Sequence, residues 1–379
     1  MDEWKEYNIG NILLLEYGKT LKDYRKGYGK YDVFGTNGKI GLTDNFLYNE
    51  PSIIIGRKGA YREVHFAKSP FFVIDTAFYT KKRTNETDTL FMYYWFKNID
   101  INAMDSGSAI PSTSRDEVYE LPISLPSLSE QKSIAEALGG LDDKIDLLQR
   151  QNRTLEQVAE TLFRQWFVEE ENESWEVVKL GDVSVIQNGY AFSSKDYVPF
   201  QEGLLEVFKM GHIEKGGGLR TNPKKDFVPR EEKLERWILN KKDIVMAMTD
   251  MKDNVVILGV PAMIDQSNKY VLNQRVARIY LPSNKKILNS YILYIQLNNK
   301  DFIATLQSKA NSGVQVNLST EAIRDCDIKI PPLDFQRQKG ILITNLYLKK
   351  ENNEKQIKTL SKLRDTLLPK FMNGYLRFT

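Results

Sequence analysis

Thiols and imidazoles are almost missing from this 379-residue chain, which has one cysteine, Cys326, and two histidines, His65 and His212. A single thiol excludes an internal disulfide framework and a cysteine-based zinc cluster. Two histidines far apart in sequence offer little for a metal site, and none is expected. No apolar run approaches the roughly 20 residues that cross a bilayer. The opening residues, Met1-Asp2-Glu3-Trp4-Lys5-Glu6, lack the basic and apolar regions of a signal peptide. A cytoplasmic location without membrane attachment is expected. Charge of one sign is scarce too: 53 Lys and Arg face 50 Asp and Glu, a net +3. A polyanion would be held only if the positive charge is concentrated on one face. The length allows two or three domains with sizeable cores.

What the chain does contain is an internal repeat. Trp4-Lys5-Glu6-Tyr7-Asn8-Ile9-Gly10 is echoed by Trp175-Glu176-Val177-Val178-Lys179-Leu180-Gly181. Val118-Tyr119-Glu120-Leu121-Pro122-Ile123-Ser124-Leu125-Pro126 is echoed by Ile323-Arg324-Asp325-Cys326-Asp327-Ile328-Lys329-Ile330-Pro331. A polar, serine-bearing turn precedes each second segment, and a glutamine, Gln131 or Gln336, follows it. The copies share their edges and differ in the middle, which is about 34 residues longer in the second. Apolar runs in the middles read as buried strands: Ser52 to Ile55, Phe71 to Ile74, Asp243 to Met248 and Val255 to Leu258. A constant frame around a divergent centre suggests two modules doing one job on different targets.

Each copy runs into a long helical pattern. From Ser129 to about Phe167, Leu138, Leu141, Ile145, Leu148, Asn152, Leu155 and Leu162 follow the alternating four-three spacing of a coiled-coil seam, with Asn152 its one polar position. Ser129 is placed to cap the start. The second pattern, from about Phe335 to Leu368, is weaker. Ile343, Leu346, Ile357, Leu360 and Leu367 fit the seam, while Lys350, Asn353 and Arg364 interrupt it. Pro369 is expected to end or kink the helix, and Gly374 to follow its end. Neither helix buries its stripe alone, so the two are expected to pair antiparallel.

This order of variable domain, long helix, variable domain, long helix resembles the specificity subunit of Type I restriction–modification enzymes, and the resemblance covers essentially the whole chain. It is carried by Phe34-Gly35-Thr36-Asn37-Gly38-Lys39-Ile40-Gly41, Ile53-Ile54-Ile55-Gly56-Arg57-Lys58-Gly59 and Ile74-Asp75-Thr76-Ala77-Phe78-Tyr79 in the first domain. In the second domain it rests on Asn188-Gly189-Tyr190-Ala191-Phe192, Lys242-Asp243-Ile244-Val245 and Leu272-Asn273-Gln274-Arg275-Val276-Ala277. The exit Ile330-Pro331-Pro332-Leu333 followed by Gln336 is the most specific shared element. The resemblance implies an α+β chain with two α/β target-recognition domains, separated by two long antiparallel coiled-coil helices in a pseudo-twofold repeat. Residues 1–128 and 171–333 would be the recognition domains. Residues 129–170 would be the first spacer helix, and 334–379 the second helix with the C-terminal tail.

The resemblance further implies that each domain reads one half of a split double-stranded DNA sequence. The helices would set the spacer and dock two modification subunits, which carry S-adenosylmethionine and methylate adenine. Restriction subunits using ATP and Mg would join them. The chain itself would hold no cofactor and no catalytic site. In agreement, it contains no Asn/Asp-Pro-Pro-Tyr/Phe motif to hold an extruded adenine and no Walker phosphate loop. Two other readings are a stand-alone adenine methyltransferase with a recognition domain, and a coiled-coil adaptor that does not bind DNA.

The candidate DNA contacts of the first domain are Arg57, Lys58 and Arg62 on a glycine-flanked tip, with Asn37 and Lys39 in a similar turn. Arginine suits guanine edges and phosphate. Those of the second domain are Lys209, His212, Arg220, Lys252, Asn254, Asn273, Gln274 and Arg275. Asn and Gln suit adenine edges, although Asn273 and Gln274 could equally cap local backbone. His212 reads more readily as a structural histidine.

Overall fold

The computed structural model describes residues 4–104, 111–170, 175–251, 255–282, 287, 289–312 and 315–378. The chain divides into two compact units, residues 1–149 with 355–379 and residues 150–354.

In the first unit a four-stranded antiparallel sheet runs, in spatial order, Leu13–Tyr17, Ala77–Lys82, Ser52–Gly56, Val64–Ala67. A three-stranded sheet runs Gly38–Thr43, Tyr31–Gly35, Phe71–Val73, its first pair antiparallel and its second parallel. Ser52–Gly56 is buried on both faces. Ile53 and Ile55 join a core with Phe78, Phe91 and Phe96, while Ile54 joins one with Phe34, Phe71 and Tyr79. That is why the strand reads as a continuous apolar run rather than an alternating one.

The second unit has the same strand order. Its four-stranded antiparallel sheet runs Val185–Asn188, Val276–Tyr280, Ile244–Ala247, Pro261–Met263. Its three-stranded sheet runs Phe227–Val228, Leu205–Phe208, Tyr270–Leu272, again antiparallel then parallel. Ile244–Ala247 also divides its side chains between two cores, Ile244 and Met246 in one, Val245 and Ala247 in the other. The middles that look divergent in sequence are therefore topological copies. The second unit adds a sheet of Thr249–Met251, Gln315–Asn317 and Asn311–Ser312, which takes up part of its extra length.

The shared edges fold identically in the two units. Lys5–Asn8 pairs antiparallel with Pro122–Leu125, and Glu176–Lys179 with Asp327–Ile330. A Cβ on Gly10 would stand 2.9 Å from that of Tyr119, and one on Gly181 3.0 Å from that of Arg324. Glycine at both places lets the short helices Ile9–Ile12 and Leu180–Val183 lie against Arg115–Tyr119 and Thr320–Arg324. The two exit glutamines are buried alike. Gln131 Nε2 donates to the Pro126 carbonyl at 3.0 Å, and Gln336 Nε2 to that of Pro331 at 2.9 Å.

The first long helix is Leu128–Arg164, continued by a π-helical stretch Gln165–Glu169. Its start is capped by Ser127, whose Oγ accepts from Glu130 N at 3.3 Å, two residues earlier than the expected Ser129. The second is Leu333–Met372. Pro369 does not end it: the residue lies within the last turn, where its missing N–H removes one hydrogen bond and the helix stops within four residues anyway. Gly374, at φ +69°, follows the end.

Of the seam positions, Leu138, Ile145, Leu148, Asn152 and Ile343 are buried, and Leu141, Leu155, Leu162, Leu346, Ile357, Leu360 and Leu367 are half-buried. Near the end of the first helix, Ala159 and Phe163 are the buried positions rather than Leu162. The helices run antiparallel within each unit. In the first, Asp142 meets Arg364 at 2.6 Å and Glu130 meets Arg377 at 2.8 Å. In the second, Asn152 meets Asn353 at 2.9 Å and Glu156 pairs with Lys350. Lys350, Asn353 and Arg364 thus do not interrupt the seam; each faces a polar partner on the other helix. The compact units do not follow the linear boundaries at 128, 170 and 333 because each helix packs its start on one core and its end on the other. Ile134, Leu138, Phe371 and Met372 belong to the first core, and Ala159, Phe163, Ile343 and Tyr347 to the second.

One expected strand is absent. Residues 255–258 form a loop whose backbone N–H groups at Val256, Ile257 and Leu258 donate to Asp250 Oδ2 at 2.7, 2.6 and 3.3 Å. A carboxylate, not a neighbouring strand, satisfies this apolar segment's backbone.

Candidate nucleic-acid interface

Four loops of the first unit are tied into one cluster. The turn Thr36-Asn37 closes the hairpin of Tyr31–Gly35 and Gly38–Thr43. Thr36 Oγ1 lies 2.8 Å from the Lys58 carbonyl and 2.9 Å from that of Thr76, and donates to one at a time. Arg57 N donates to Thr76 O at 2.9 Å, Thr113 N to Arg57 O at 2.9 Å, and Gly59 N to Pro111 O at 3.0 Å. Gly56 is required by this closeness, since a Cβ there would stand 2.6 Å from the Thr36 carbonyl. The loops therefore form a surface whose backbone is fixed, and Asn37, Lys39, Lys58 and Tyr61 project from it, the last 79% exposed. Arg57 is half-buried, its guanidinium 4.9 Å from the Tyr17 ring centre and donating to the Asp75 carbonyl at 3.1 Å. Lys39 pairs with Asp32 at 2.6 Å, both exposed, an interaction that water and salt weaken.

Arg62 is not part of this surface. It is 3% exposed, and its Nη2 reaches the carbonyls of Asn102 at 3.1 Å, Met104 at 2.6 Å and Ile101 at 3.4 Å. The backbone turns inward after Tyr61, so the third basic residue of the tip braces the adjoining loop instead.

The second unit repeats the scaffold. Met248 N donates to Arg275 O at 3.0 Å and Leu318 N to Met248 O at 2.8 Å, matching the bonds that join Arg57 to Thr76 and Thr113. Gln274 and Arg275 are exposed on the turn equivalent to Asp75-Thr76. Asn273 is half-buried and its Oδ1 accepts from Arg275 N at 3.2 Å, so it shapes that turn. Lys209 is ion-paired with Asp226 at 2.6 Å and lies 4.1 Å from the Tyr197 ring centre. His212 is 2% exposed, its Nδ1 accepting from Lys209 N at 3.2 Å and its Nε2 lying 3.1 Å from Glu206 Oε1. It is a buried structural residue, out of reach of a ligand. Burial pushes the Glu206 carboxyl up, but the His212 hydrogen bond and the charges of Lys269 and Lys225 outweigh it and hold it below the usual range. Arg220 stands 3.6 Å from Glu214. Lys252 and Asn254 lie outside the described residues.

The structure thus gathers Asn37, Lys39, Arg57 and Lys58 in one unit and Gln274 with Arg275 in the other, and takes Arg62 and His212 out. Sequence reasoning missed Tyr17, which stands beside Arg57, and Arg115, which lies on the same Tyr17 ring and lines one recess with Arg57. Arg115 is distant from Arg57 in sequence, and only the fold brings the two to one ring, with Arg115 5.1 Å from the Tyr17 centre.

The family model described as Type I restriction modification DNA specificity domain matches residues 1–157 and 172–362, one copy for each repeat. The chain belongs to this family. It is similar to the specificity subunit of type I restriction enzyme MjaIX of Methanocaldococcus jannaschii, with 27% identity over 76% of this chain and 69% of that one. The HindI specificity subunit of Haemophilus influenzae is 23% identical over 99% of this chain and 100% of its own. Among solved structures, a type I restriction–modification S subunit from Mycoplasma genitalium superposes with a TM-score of 0.64 at 20% identity, covering 97% of this chain and 96% of that one, and it shares the fold. The family is that of specificity subunits, which are not catalytic. No helix among the described residues is long and apolar enough to cross a membrane.

Proposed function

We propose that the chain is the DNA-reading subunit of a type I restriction–modification complex, with each unit recognising one half of a bipartite duplex target. One observation carries this reading: the two units share strand order and loop hydrogen bonds, yet present different side chains at equivalent loop positions. Arg57 stands where the second unit has Met248, and Asp75-Thr76 where it has Gln274-Arg275. A common scaffold with exchanged tips is what reading two different base sequences requires. In this reading the paired helices set the spacer and dock two modification subunits, which supply S-adenosylmethionine and the methyl-transfer chemistry. Restriction subunits bring ATP and Mg to the same cytoplasmic assembly.

The test is DNA retention and methyl transfer, measured for the chain alone, the modification subunits alone and the two together. The proposal predicts methylation only in the mixture, at one bipartite sequence, with affinity falling linearly in log salt as phosphate counterions are released. Methyl transfer by the chain alone would establish the methyltransferase reading. A mixture indifferent to DNA would leave only an adaptor.

A further inference from the structure

Resting on that reading and going beyond it, the geometry points to a phosphodiester site in the first unit, where Arg57, Arg115 and Thr113 hold one backbone phosphate of the DNA beside Tyr17. A recess of about 210 Å³ is lined by Tyr17, Arg57 and residues 112–116. The guanidinium carbons of Arg57 and Arg115 lie 4.9 and 5.1 Å from the centre of the same Tyr17 ring. Both arginines line this one recess, and two positive charges facing one cavity favour an anion within it. Among the described residues neither arginine makes an ion pair. Asp116, exposed and also lining the recess, is not bonded to either.

Two further groups lack partners there. Thr113 is 2% exposed and its hydroxyl has no hydrogen-bond partner among the described residues; the Nε–H of Arg115 has none either. A buried polar group left unpaired is unfavourable, so its persistence beside two positive charges that no carboxylate neutralises points to a ligand that accepts hydrogen bonds. A base edge is neutral and compensates neither charge. A phosphodiester carries the charge and offers oxygens that fit the guanidinium fork.

The scaffold does not need these residues. By the matching hydrogen bonds and strand register, the second unit places Asn188 for Tyr17, Met248 for Arg57, Leu318 for Thr113 and Thr320 for Arg115. The same loops close there with no charge at any of these four positions, so the first half-site alone gains this contact.

The experiment measures DNA affinity of the full chain, assembled with its modification subunits, against salt. Arg115→Gln should weaken every sequence alike by roughly tenfold and lower the salt slope by about one. Thr113→Val keeps the shape and removes only the hydroxyl; it should weaken DNA binding while leaving the thermal midpoint unchanged or raised. One neutral methylphosphonate linkage in the first half-site should weaken the unaltered protein as much as Arg115→Gln does, with no further effect on that variant. A change in base preference at constant salt slope would make Arg115 a base reader and overturn the proposal. So would unchanged DNA affinity in a variant that no longer gains thermal stability from inorganic phosphate, which would mark a free-anion site. If the unaltered complex retained no DNA, the wider reading would fall and this one with it; normal DNA binding by all the variants would overturn this one alone.

Discussion

Asn353 Nδ2 donates to Asn152 Oδ1 at 2.9 Å across the paired helices, and both side chains are buried, Asn353 completely. Every other buried residue of this stretch of the seam is apolar or aromatic. The hydrogen bond of such a pair forms in one alignment only, and here Asn353 Oδ1 stays without a partner among the described residues. A one-turn slip in either direction would bury two unpaired amides, so the pair selects the register at some cost in stability.

Asn353→Leu alone should destabilise the protein by about 1–3 kcal/mol, because Asn152 is left buried and unpaired. Replacing both by Leu should restore most or all of that loss. Denaturation of the two single variants and the double variant gives the coupling directly. Strictly additive losses would show that the two amides do not act as a pair.

Arg62→Ala should cost about 1.5–3 kcal/mol, since a guanidinium that bonds three carbonyls is removed from the interior. Lys58→Ala, four residues earlier and exposed, should change stability by no more than about 0.5 kcal/mol. Thermal denaturation separates them: equal effects would mean that the tip does not turn inward at Arg62.

Asp250 gives the loop at residues 255–258 a dependence on pH. Burial raises its carboxyl pKa, but the backbone N–H groups of Ile257, Met251, Val256 and Leu258 outweigh it and hold it below the ordinary value. A depressed carboxylate contributes stability that is present above the unfolded-state pKa and lost as pH falls through the folded one. The amides of residues 256–258 should therefore stay protected from hydrogen exchange at neutral pH and lose protection only in acid, below the usual carboxylate range. In Asp250→Asn they should be less protected throughout. Protection that does not differ between the two proteins would contradict this anchoring.

The repeat's edges were legible because they are short, local and fixed by backbone demands, such as the close-packed glycines at 10 and 181 and the buried exit glutamines. The topological identity of the middles was not, because strand order is a long-range property and only burial patterns survive where side chains diverge. The roles of the seam's polar positions are hidden in the sequence for a related reason. Lys350, Asn353 and Arg364 interrupt one helix taken alone, and acquire meaning only opposite Glu156, Asn152 and Asp142. At the candidate interface, the Arg57 tip was visible as basic residues between glycines. The inward turn of Arg62 depends on the carbonyls of residues 101–104, and Arg115 reaches Tyr17 only through the folded chain.

Removing one heptad from each helix, residues 142–148 and 358–364, keeps the seam in phase and takes Asp142 and Arg364 out together. The rod shortens by roughly 10 Å, equivalent to about three base pairs. If the helices are the ruler, methylation should shift to targets with a shorter spacer and unchanged half-sites, or cease because the duplex also rotates. Mapping methylated adenines in cells carrying the deletion checks this, and an unchanged spacer in an active enzyme would exclude the helices as the ruler.

The claim that each unit reads its own half of the target is tested most directly by the same genome-wide map for two point variants, Asn37→Ala in the first unit and Gln274→Ala in the second. Both residues are exposed on loops whose backbone is fixed by hydrogen bonds; the Asn37 amide also donates to the Tyr61 carbonyl, so thermal denaturation of Asn37→Ala checks that the tip keeps its fold. The account predicts one bipartite motif for the unaltered protein, relaxed in one half by Asn37→Ala and in the other half by Gln274→Ala, with the spacer constant. Relaxation of the same half by both variants, or a motif with no second half, would contradict it.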